Sequence, residues 1–393
     1  MLKYSALQAR VVCRHLCLRH QNPPQSPPWR LFATTSFYAY HKQRMEELVL
    51  FGVPTITGQR RRAPIPKPGT DEVLIKVVAT GLNPKDWKWT RNRDQDQAMN
   101  AGDDIAGIIE SVGNKVFEYK PGDRVAAFHR MAGPGGAYAE YAIAPFSTTF
   151  HLPPNVSFEA GAGLPLSSMT AAIGLYQALQ LPLPSVVGKK YLPLVIYGGA
   201  TAVGAYALQF AKLSNVGPII TVAGSGIDFV KSLGAADHII DYRQGNVTEA
   251  IIAALDGNKV HHILDAVSSR KSHEPLTEVL VASGAASSIC WTLRKDKNWQ
   301  WPESVNFTRT FVASAYSEKH AHISQAQANA DGEFAYFFYR YMTYLMAEGK
   351  FKPHPHEVLP KGLDGIADGN RRLSEGKVSA TKLVARIADT PGL

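Results

Sequence analysis

The chain has 393 residues and a formal net charge of +9, with 45% hydrophobic and 19% charged residues. This length exceeds one hydrophobic core of typical size, so we expect two domains, and the composition is typical of globular proteins. Seven basic residues and no acidic residue lie in the first 44 positions, and subtracting these seven from nine leaves only +2 for the remainder. We therefore expect no nucleic-acid partner.

Residues 1–45 are predicted to form a separate basic leader. An excess of arginine without acidic residues is typical of a mitochondrial transit peptide. Met45, directly before Glu46, is equally consistent with a start codon assigned upstream of the true one. The two interpretations place the protein in the mitochondrial matrix or in the cytoplasm, and both stay open. Prolines at 23–24 and 27–28 argue against packed structure, so we expect the leader to be dispensable.

Residues 46–160 are predicted to form short strands separated by turns. Asp71–Thr80 alternates in polarity and is rich in Val and Ile, as strands are. Further strands are expected at Ile105–Val112, Arg124–Ala127 and Ala137–Ile143. Many short strands with Gly and Pro turns favour a small barrel-like β-domain.

Residues 161–314 are predicted to alternate between strands and helices after a first helical stretch at Pro165–Leu181. The expected strands are 192–197, 218–223, 238–242, 261–267 and 285–291, and the expected helices are 203–213, 228–233, 247–255 and 274–282. This alternation predicts a parallel, doubly wound sheet. The uncharged stretch Tyr191–Ala211 is divided by Gly198-Gly199 between a strand and a helix, so we expect no membrane span.

Residues 315–393 are expected to return to the first domain. Phe334–Ala347 is predicted to be an aromatic-rich helix, and Lys361–Ile387 a helix followed by a strand. The strand at Lys382–Ala385 has no place in the alternating series, which favours its assignment to the β-domain.

A glycine pattern stands between the first strand and the first helix of the alternating series. Gly199 and Gly204 hold the first and third positions of a GxGxxG pattern, and Thr201 replaces the middle glycine. Such a turn lets the backbone approach a pyrophosphate, which the N–H groups of the helix N-terminus bind. Thr201 can add a hydroxyl donor. A glycine turn without a nucleotide is the alternative, and the strand–turn–helix context argues against it.

The end of the second strand of the series predicts which cofactor binds. Enzymes that use NAD usually place an acid there for the ribose hydroxyl. Here the sequence is Ala223-Gly224-Ser225-Gly226, and no acid follows before Asp228. These small residues leave space for the 2′-phosphate of NADPH. Its partners would be Ser225, backbone amides and either Tyr242 or Arg243, although Tyr242 is alternatively an ordinary aromatic residue at a strand end.

Several segments in a fixed order resemble one family. They are Gly81–Lys88, Gly102–Gly107, Pro121–Val125, Gly136–Tyr141, Leu164–Ala171 and the turn at 198–204. Over residues 46–387 the chain resembles the medium-chain dehydrogenase/reductase superfamily. Within that superfamily it is most similar to zinc-free quinone oxidoreductases and to fungal trans-acting enoyl reductases of polyketide pathways.

The resemblance implies a GroES-like β-barrel catalytic domain and a Rossmann domain that binds NADP. It implies a pyrophosphate site around Gly199 and Gly204 formed by Ala200, Thr201, Ala202 and Val203. It places the 2′-phosphate at Ala223, Gly224, Ser225 and Gly226, the adenosine at Tyr242, and the nicotinamide near Ser288 and Ile289. Lys85 and Asp86 would contact the cofactor in the cleft between the domains, which Lys88 would also line, and the substrate would lie near Asn83, Ser167 and Met169.

We expect no zinc and no other metal. Zinc-dependent relatives carry a cysteine where Asn83 stands, a His-Glu pair where Asp103-Asp104 stand, and a four-cysteine lobe. Of three cysteines only Cys290 lies outside the leader, so no cysteine cluster can form in the body.

Lys88 is the candidate proton donor or carbonyl polariser, because burial in a closed cleft lowers the pKa of a lysine. A solvated surface lysine is the alternative. Asp86 is expected to cap a turn. His261-His262 point to opposite faces of a strand, and the pair His354 and His356 is expected to be solvated in its proline loop.

Two classes of function fit the sequence. The first is an NADPH-dependent reductase of a conjugated C=C bond or a quinone, in fungal-type secondary metabolism, acting on a small-molecule substrate. The second is an NADPH-binding protein without catalytic activity, because fold does not guarantee activity. A zinc-free alcohol or carbonyl dehydrogenase is a further alternative. We expect a monomer or homodimer and no membrane partner.

Overall fold

The structure is a computed structural model that describes residues 43–186, 190–284, 287–292, 299, 302–303, 305–320 and 323–393. The predicted leader, apart from residues 43–45, lies outside the described residues, as do residues 285 and 286 of one predicted strand. Within the described chain, the helices lack the combination of length and apolarity needed to cross a bilayer.

The described strands are β1 (Arg44–Phe51), β2 (Thr57–Pro64), β3 (Glu72–Gly81), β4 (Asp104–Val112), β5 (Arg124–Phe128), β6 (Tyr141–Pro145), β7 (Thr149–His151), β8 (Lys190–Tyr197), β9 (Val216–Ala223), β10 (His238–Asp241), β11 (His262–Asp265), β12 (Ser287–Trp291), β13 (Val305–Arg309), β14 (His356–Leu359) and β15 (Lys382–Arg386). The α-helices are α1 (Pro84–Thr90), α2 (Phe158–Gly161), α3 (Pro165–Ala172), α4 (Ala202–Leu213), α5 (Ile227–Leu233), α6 (Val247–Leu255), α7 (Arg270–Ser283), α8 (Gln325–Ala347) and α9 (Ile366–Ser374).

The first domain is built on a mainly antiparallel sheet in the order β14-β15-β3-β4-β5-β7, with β6 also paired to β3. Alternate residues of β3 and β4, among them Val73, Ile75 and Ile105, are fully buried in its core. β15 pairs antiparallel with β3 and places Val384 opposite Gly81. The segment after the alternating series therefore returns to the first sheet.

The second domain contains a six-stranded parallel sheet in the order β10-β9-β8-β11-β12-β13. The middle of its central strands is apolar and fully buried, at 194–196 in β8 and 263–264 in β11, as is usual for parallel sheets covered by helices on both faces. The chain runs outwards from β8 in one direction and then returns to β11 on its other side. Ligands in such sheets bind at the carboxyl ends of the strands, next to this reversal. The α/β fold class predicted from the sequence is confirmed.

Element boundaries differ from the predictions where the sequence is polar. α7 begins at Arg270 instead of 274, because Ser269 and Ser272 form a capping box there. α8 begins at Gln325 instead of Phe334, after an N-cap in which Ser324 accepts a hydrogen bond from Gln327 N. The strand predicted to start at Ala137 starts at Tyr141, and β13 was not predicted.

Candidate active site

A cleft of about 1130 Å³ lies between the carboxyl edge of the parallel sheet and the first domain. Every strand of that sheet contributes a residue at or just beyond its carboxyl end: Tyr197, Ala223, Tyr242, Ala266, Thr292 and Thr310. The described lining also holds six basic side chains, Lys85, Lys88, Arg91, Lys271, Arg309 and Lys382, and no carboxylate. Lys85 and Lys382 are paired with buried carboxylates behind the lining, and the other four basic side chains still leave the lining more basic than acidic, which favours an anionic ligand.

The glycine turn forms one wall of the cleft. Gly198 has a φ of +90°, which favours glycine. A Cβ on Gly199 would overlap Thr221 Oγ1, and a Cβ on Gly204 would overlap Gly198 O, so α4 starts tightly against β8. Gly199 and Gly204 therefore pack the turn and do not line the cleft, whereas residues 200–203 do line it.

The hydroxyl of Thr201 has a structural role that differs from the prediction. It accepts a hydrogen bond from Gly204 N at 3.0 Å and donates to Gly198 O at 2.8 Å. Thr201 is thus the N-cap of α4, and capping occupies the hydroxyl that was expected to donate to a phosphate.

The end of β9 opens into the cleft through Ala223, Gly224, Ser225 and Gly226. The ring of Tyr242 covers Gly224 so closely that a Cβ there would lie 2.5 Å from the ring. Arg243 does not line the cleft, because its guanidinium is held by both carboxylate oxygens of Asp241, at 2.8 and 2.6 Å. Of the two alternatives, Tyr242 is the residue that the structure brings to the cleft.

Helix α1 carries the next group of predicted residues. Asp86 accepts a hydrogen bond from Asn83 N at 2.8 Å and so caps the helix, and Tyr138 donates to the same carboxylate oxygen at 2.5 Å. Asp86 is fully buried and absent from the cleft lining, so its predicted contact with the cofactor is corrected. The carboxylate of Asp86 already accepts hydrogen bonds from Asn83 N at the start of α1 and from Tyr138.

Lys85 reaches the cleft only with part of its side chain. Its ammonium forms ion pairs with Asp103 and with Asp86, the latter at 3.0 Å, and donates to Ala101 O at 2.6 Å. Burial acts to lower the pKa of Lys85, and the Asp103 and Asp86 carboxylates outweigh it, so the pKa is raised. Lys85 is therefore protonated and holds Asp86, Asp103 and the backbone at Ala101 together within the first domain.

Lys88 faces the cleft and is half-buried. Burial, and then the neighbouring Arg91, lower the pKa of its ammonium. Its Nζ lies 5.6 Å from the ring centroid of Trp87, and no hydrogen bond or ion pair engages it within the described chain. Lys88 thus combines the exposure to ligand and the perturbed pKa that a proton donor needs.

A lysine that the sequence analysis missed lies at the base of the cleft. Lys382 donates to Asn83 Oδ1 at 2.6 Å and to Asp104 Oδ2 at 3.0 Å, and Asn83 Nδ2 donates to Asp104 Oδ2 at 2.8 Å. We call these three residues the Lys382 cluster. Lys382 is 5% exposed and Asp104 is fully buried. The only local signal was a lysine at the start of the buried strand β15.

His354 corrects a second prediction. It was expected to be solvated, but it is 3% exposed and lines the cleft beside the glycine turn. Its ring nitrogens lie 3.2 Å from Ala200 O and 3.0 Å from Pro355 O. Burial lowers its pKa against the opposing effect of these hydrogen bonds. His354 therefore supports the turn, whereas His356 is exposed as expected.

Of the residues predicted to bind the substrate and the nicotinamide, only some line the cleft. Asn83 and Ser167 line the cleft, but Met169 is fully buried in the core and does not. Ile289 is also fully buried, and neither Ser288 nor Ile289 lines the cleft. Because β12 continues to Trp291, its carboxyl end meets the cleft at Thr292 instead.

Comparison with known proteins agrees with this architecture. The family model "Alcohol dehydrogenase GroES-like domain" matches residues 69–154, and "Zinc-binding dehydrogenase" matches residues 202–328. A trans-enoyl reductase of Gibberella fujikuroi is 37% identical over 305 residues, which cover 76% of this chain and 86% of that protein. The chain belongs to the medium-chain dehydrogenase/reductase superfamily. A trans-enoyl reductase of Alternaria alternata is 31% identical over 336 residues, covering 84% and 95%.

Solved structures of this superfamily share the fold. A protein of Rhizobium etli assigned as a zinc-dependent alcohol dehydrogenase superposes with a TM-score of 0.74 at 21% identity, covering 88% of this chain and 98% of that one. The enoyl reductase CurK superposes with a TM-score of 0.67 at 21% identity, covering 88% and 99%. The similarity in sequence to two trans-enoyl reductases, together with this fold, supports an oxidoreductase of the superfamily.

The name of the second family model raises the question of whether the residues fit zinc. At the positions where zinc-dependent relatives have metal ligands, this chain has Asn83, Asp103 and Asp104. The ammonium of Lys382 bonds to Asn83 and Asp104, and that of Lys85 pairs with Asp103. Zinc sites use thiolate, imidazole and carboxylate ligands, at least three from the protein. The described residues contain no group of three such side chains placed to hold a metal. The residues at this position do not fit zinc.

Proposed function

We propose that this protein is an NADPH-dependent reductase of conjugated carbon–carbon double bonds that works without zinc. The observation that carries the proposal is the cleft, which combines a glycine turn at a helix N-terminus with a basic lining free of described carboxylates. The two trans-enoyl reductase relatives support reduction of an enoyl group. An enoyl intermediate of fungal-type secondary metabolism is the substrate that we favour.

The residues around the cleft fit a dinucleotide. Residues 200–203 lead into and begin the first turn of α4, whose N–H groups and dipole favour a pyrophosphate. The end of β9 offers Ser225 where an acid would repel a 2′-phosphate. Tyr242 would lie against the adenosine. We take the glycines at 199 and 204 as the packing that allows this close approach.

The cofactor, when bound, supplies the hydride. Negative charge then develops on the substrate, and a conjugated acceptor spreads that charge onto a distant carbonyl oxygen. A hydrogen-bond donor at that oxygen stabilises the charge without a metal. Lys88 lines the cleft, its ammonium has a lowered pKa, and the ammonium can donate either a hydrogen bond or its proton.

The proposal is tested by measuring oxidation of NADPH and NADH with four substrate classes: enoyl thioesters, quinones, simple ketones and, in reverse, simple alcohols. We expect turnover of the conjugated acceptors with NADPH preferred. Efficient oxidation of ethanol-like alcohols would overturn the reductase assignment. Tight NADPH binding without turnover of any acceptor would instead identify a binding protein.

A further inference from the structure

A buried carboxylate stands behind the wall of the cleft at the carboxyl end of β11. Asp265 is the last residue of β11, and its side chain is fully buried. Asp265 does not line the cleft, but the residues that follow it, Ala266, Val267 and Ser269, do. We call residues 266–269 the β11 turn. A carboxylate in such a position is stable only when hydrogen-bond donors surround it, and these donors show what it holds in place.

The carboxylate of Asp265 binds the backbone of the β11 turn. Its Oδ1 accepts hydrogen bonds from Val267 N at 3.0 Å and from Ser268 N at 2.8 Å. Its Oδ2 accepts from Ser272 Oγ at 2.8 Å and lies 3.5 Å from His273 Nε2, both near the start of α7. One buried side chain therefore connects the end of β11 to the turn that follows it and to the next helix.

Ser268 extends this arrangement to the end of β12. Its φ is +51°, a conformation that costs energy for a residue other than glycine. Its Oγ donates to Asp265 O at 3.0 Å and accepts from Thr292 N at 3.0 Å, and Thr292 N also bonds to Asp265 O at 3.3 Å. Thr292 follows β12 and lines the cleft. Ser268 Oγ thus bridges two strand ends of the cleft wall.

The β11 turn also packs against the glycine turn. A Cβ on Gly198 would lie 2.7 Å from Val267 Cγ2. In the sheet, β11 adjoins β8 on the side away from β9 and β10. Because the proposed 2′-phosphate and adenosine contacts lie at the ends of β9 and β10, a dinucleotide that crosses the glycine turn reaches the β11 turn with its other half, which carries the nicotinamide.

We infer that Asp265 is a positioning residue for hydride transfer. This inference rests on the proposed function. The carboxylate fixes two consecutive N–H groups, and with them the strained Ser268, so that the wall formed by Val267 and Thr292 has one conformation before any ligand binds. A reacting ring that is misplaced by about 1 Å can lose about 100-fold in rate, so a fixed wall matters for transfer. Asp265 acts through the backbone of this wall and itself touches neither cofactor nor substrate.

The first test compares two substitutions of Asp265 in the full chain by NADPH oxidation with crotonyl coenzyme A, an enoyl thioester. Asp265→Asn keeps an oxygen that can accept from both N–H groups, and its amide nitrogen can donate to Ser272 Oγ, so it should retain most of the kcat. Asp265→Ala removes the acceptor and should lower kcat by roughly 10- to 100-fold. The KM for NADPH should change much less, because the glycine turn and the end of β9 are unaltered.

A second variant separates positioning from stability. Ser268→Gly removes the bridging hydroxyl but also relieves the left-handed strain, so the protein should fold with little change in melting temperature. The freer β11 turn should lower kcat by roughly 10-fold and reduce the fluorescence of bound NADPH, which comes from the nicotinamide ring. Ser317→Gly is the matched control, because Ser317 also has a left-handed conformation, with a φ of +61°, and does not line the cleft.

The outcomes separate the role of Asp265 from the proposed function. If Asp265→Ala and Ser268→Gly melt at lower temperature but keep the wild-type kcat, Asp265 only stabilises the fold and the inference is wrong. It is also wrong if Asp265→Asn loses as much kcat as Asp265→Ala, because backbone acceptance is then not what matters. If wild-type protein binds NADPH without reducing crotonyl coenzyme A, the reductase assignment fails for enoyl thioesters and the fluorescence comparison alone decides on Asp265. Wild-type protein that binds no NADPH would overturn both.

Discussion

Replacement of Lys382 by methionine tests whether a buried ammonium holds the base of the cleft together. The ammonium lies 3.0 Å from Asp104 Oδ2, where an effective dielectric constant of about 20 gives roughly 5.5 kcal/mol of attraction. Removing one partner of a buried ion pair typically costs about 3–5 kcal/mol. Asp104 keeps hydrogen bonds from Asn83 Nδ2 at 2.8 Å and Leu166 N at 2.7 Å. We therefore expect Lys382→Met to cost about 3 kcal/mol, the lower end of that range.

The measurement is thermal unfolding followed by circular dichroism, with urea unfolding as a second probe. For a folded body of this size, a loss of about 3 kcal/mol lowers the melting temperature by roughly 4 °C. The double variant Lys382→Met/Asp104→Asn should recover part of the loss, because no buried charge is then left unpaired. Lys115→Met, at an exposed lysine, should change stability by less than about 0.5 kcal/mol. Unaltered melting of Lys382→Met, with no gain from the second substitution, would refute the reasoning.

Further expected outcomes concern catalysis, pH, metal content and the glycine turn. Lys88→Met should lower kcat by on the order of a hundredfold while NADPH affinity, measured by fluorescence, stays unchanged; near-full turnover would remove Lys88 from the chemistry. Burial, and then Arg91, lower the pKa of Lys88. Because a proton donor must be protonated, activity should decline as the pH rises, and this decline should occur at a pH below 10.5, the ordinary pKa of lysine. Arg91→Gln should move that alkaline decline to higher pH, and no movement would contradict the assignment. Purified protein should contain far less than one zinc per chain by elemental analysis and keep its activity in chelator; near-stoichiometric zinc would contradict this. Gly204→Ala should weaken NADPH binding, because its Cβ would overlap Gly198 O, and wild-type affinity in this variant would show that the turn has room to adjust.

The sequence predicted most of the second domain because its signals are local. The apolar runs of β8, β9 and β10 each end within about two residues of the predicted boundary, and Gly234 ends α5 in the left-handed conformation. The starts of α7 and α8 were predicted too late because their first turns are polar, so the apolar periodicity begins only in the second or third turn.

The candidate site was predictable only where it lies on consecutive residues. The glycine turn and the end of β9 satisfy this condition. Lys382 and His354 do not, because pairing of β14 with β15, and of β15 with β3, brings them to the cleft. His354 in particular stands in a segment that contains two prolines and would be solvated if other elements did not cover it. Such residues carry no short-range pattern that distinguishes them from surface residues.

The pairing of β15 with β3 also has a consequence for biosynthesis. Lys382 follows its partner Asn83 by 299 positions, so at roughly 5–20 residues per second a ribosome needs about 15–60 s to produce one after the other. During that interval the nascent first sheet has an open edge at β3, and Asp104 lacks its counter-charge. The parallel sheet is synthesised within the same interval, and one of its faces packs in a core made only of that domain's residues, so this domain can fold first. We therefore expect the catalytic domain to be the part that depends on chaperones, and premature termination before β15 to yield a folded nucleotide-binding unit attached to an incomplete sheet.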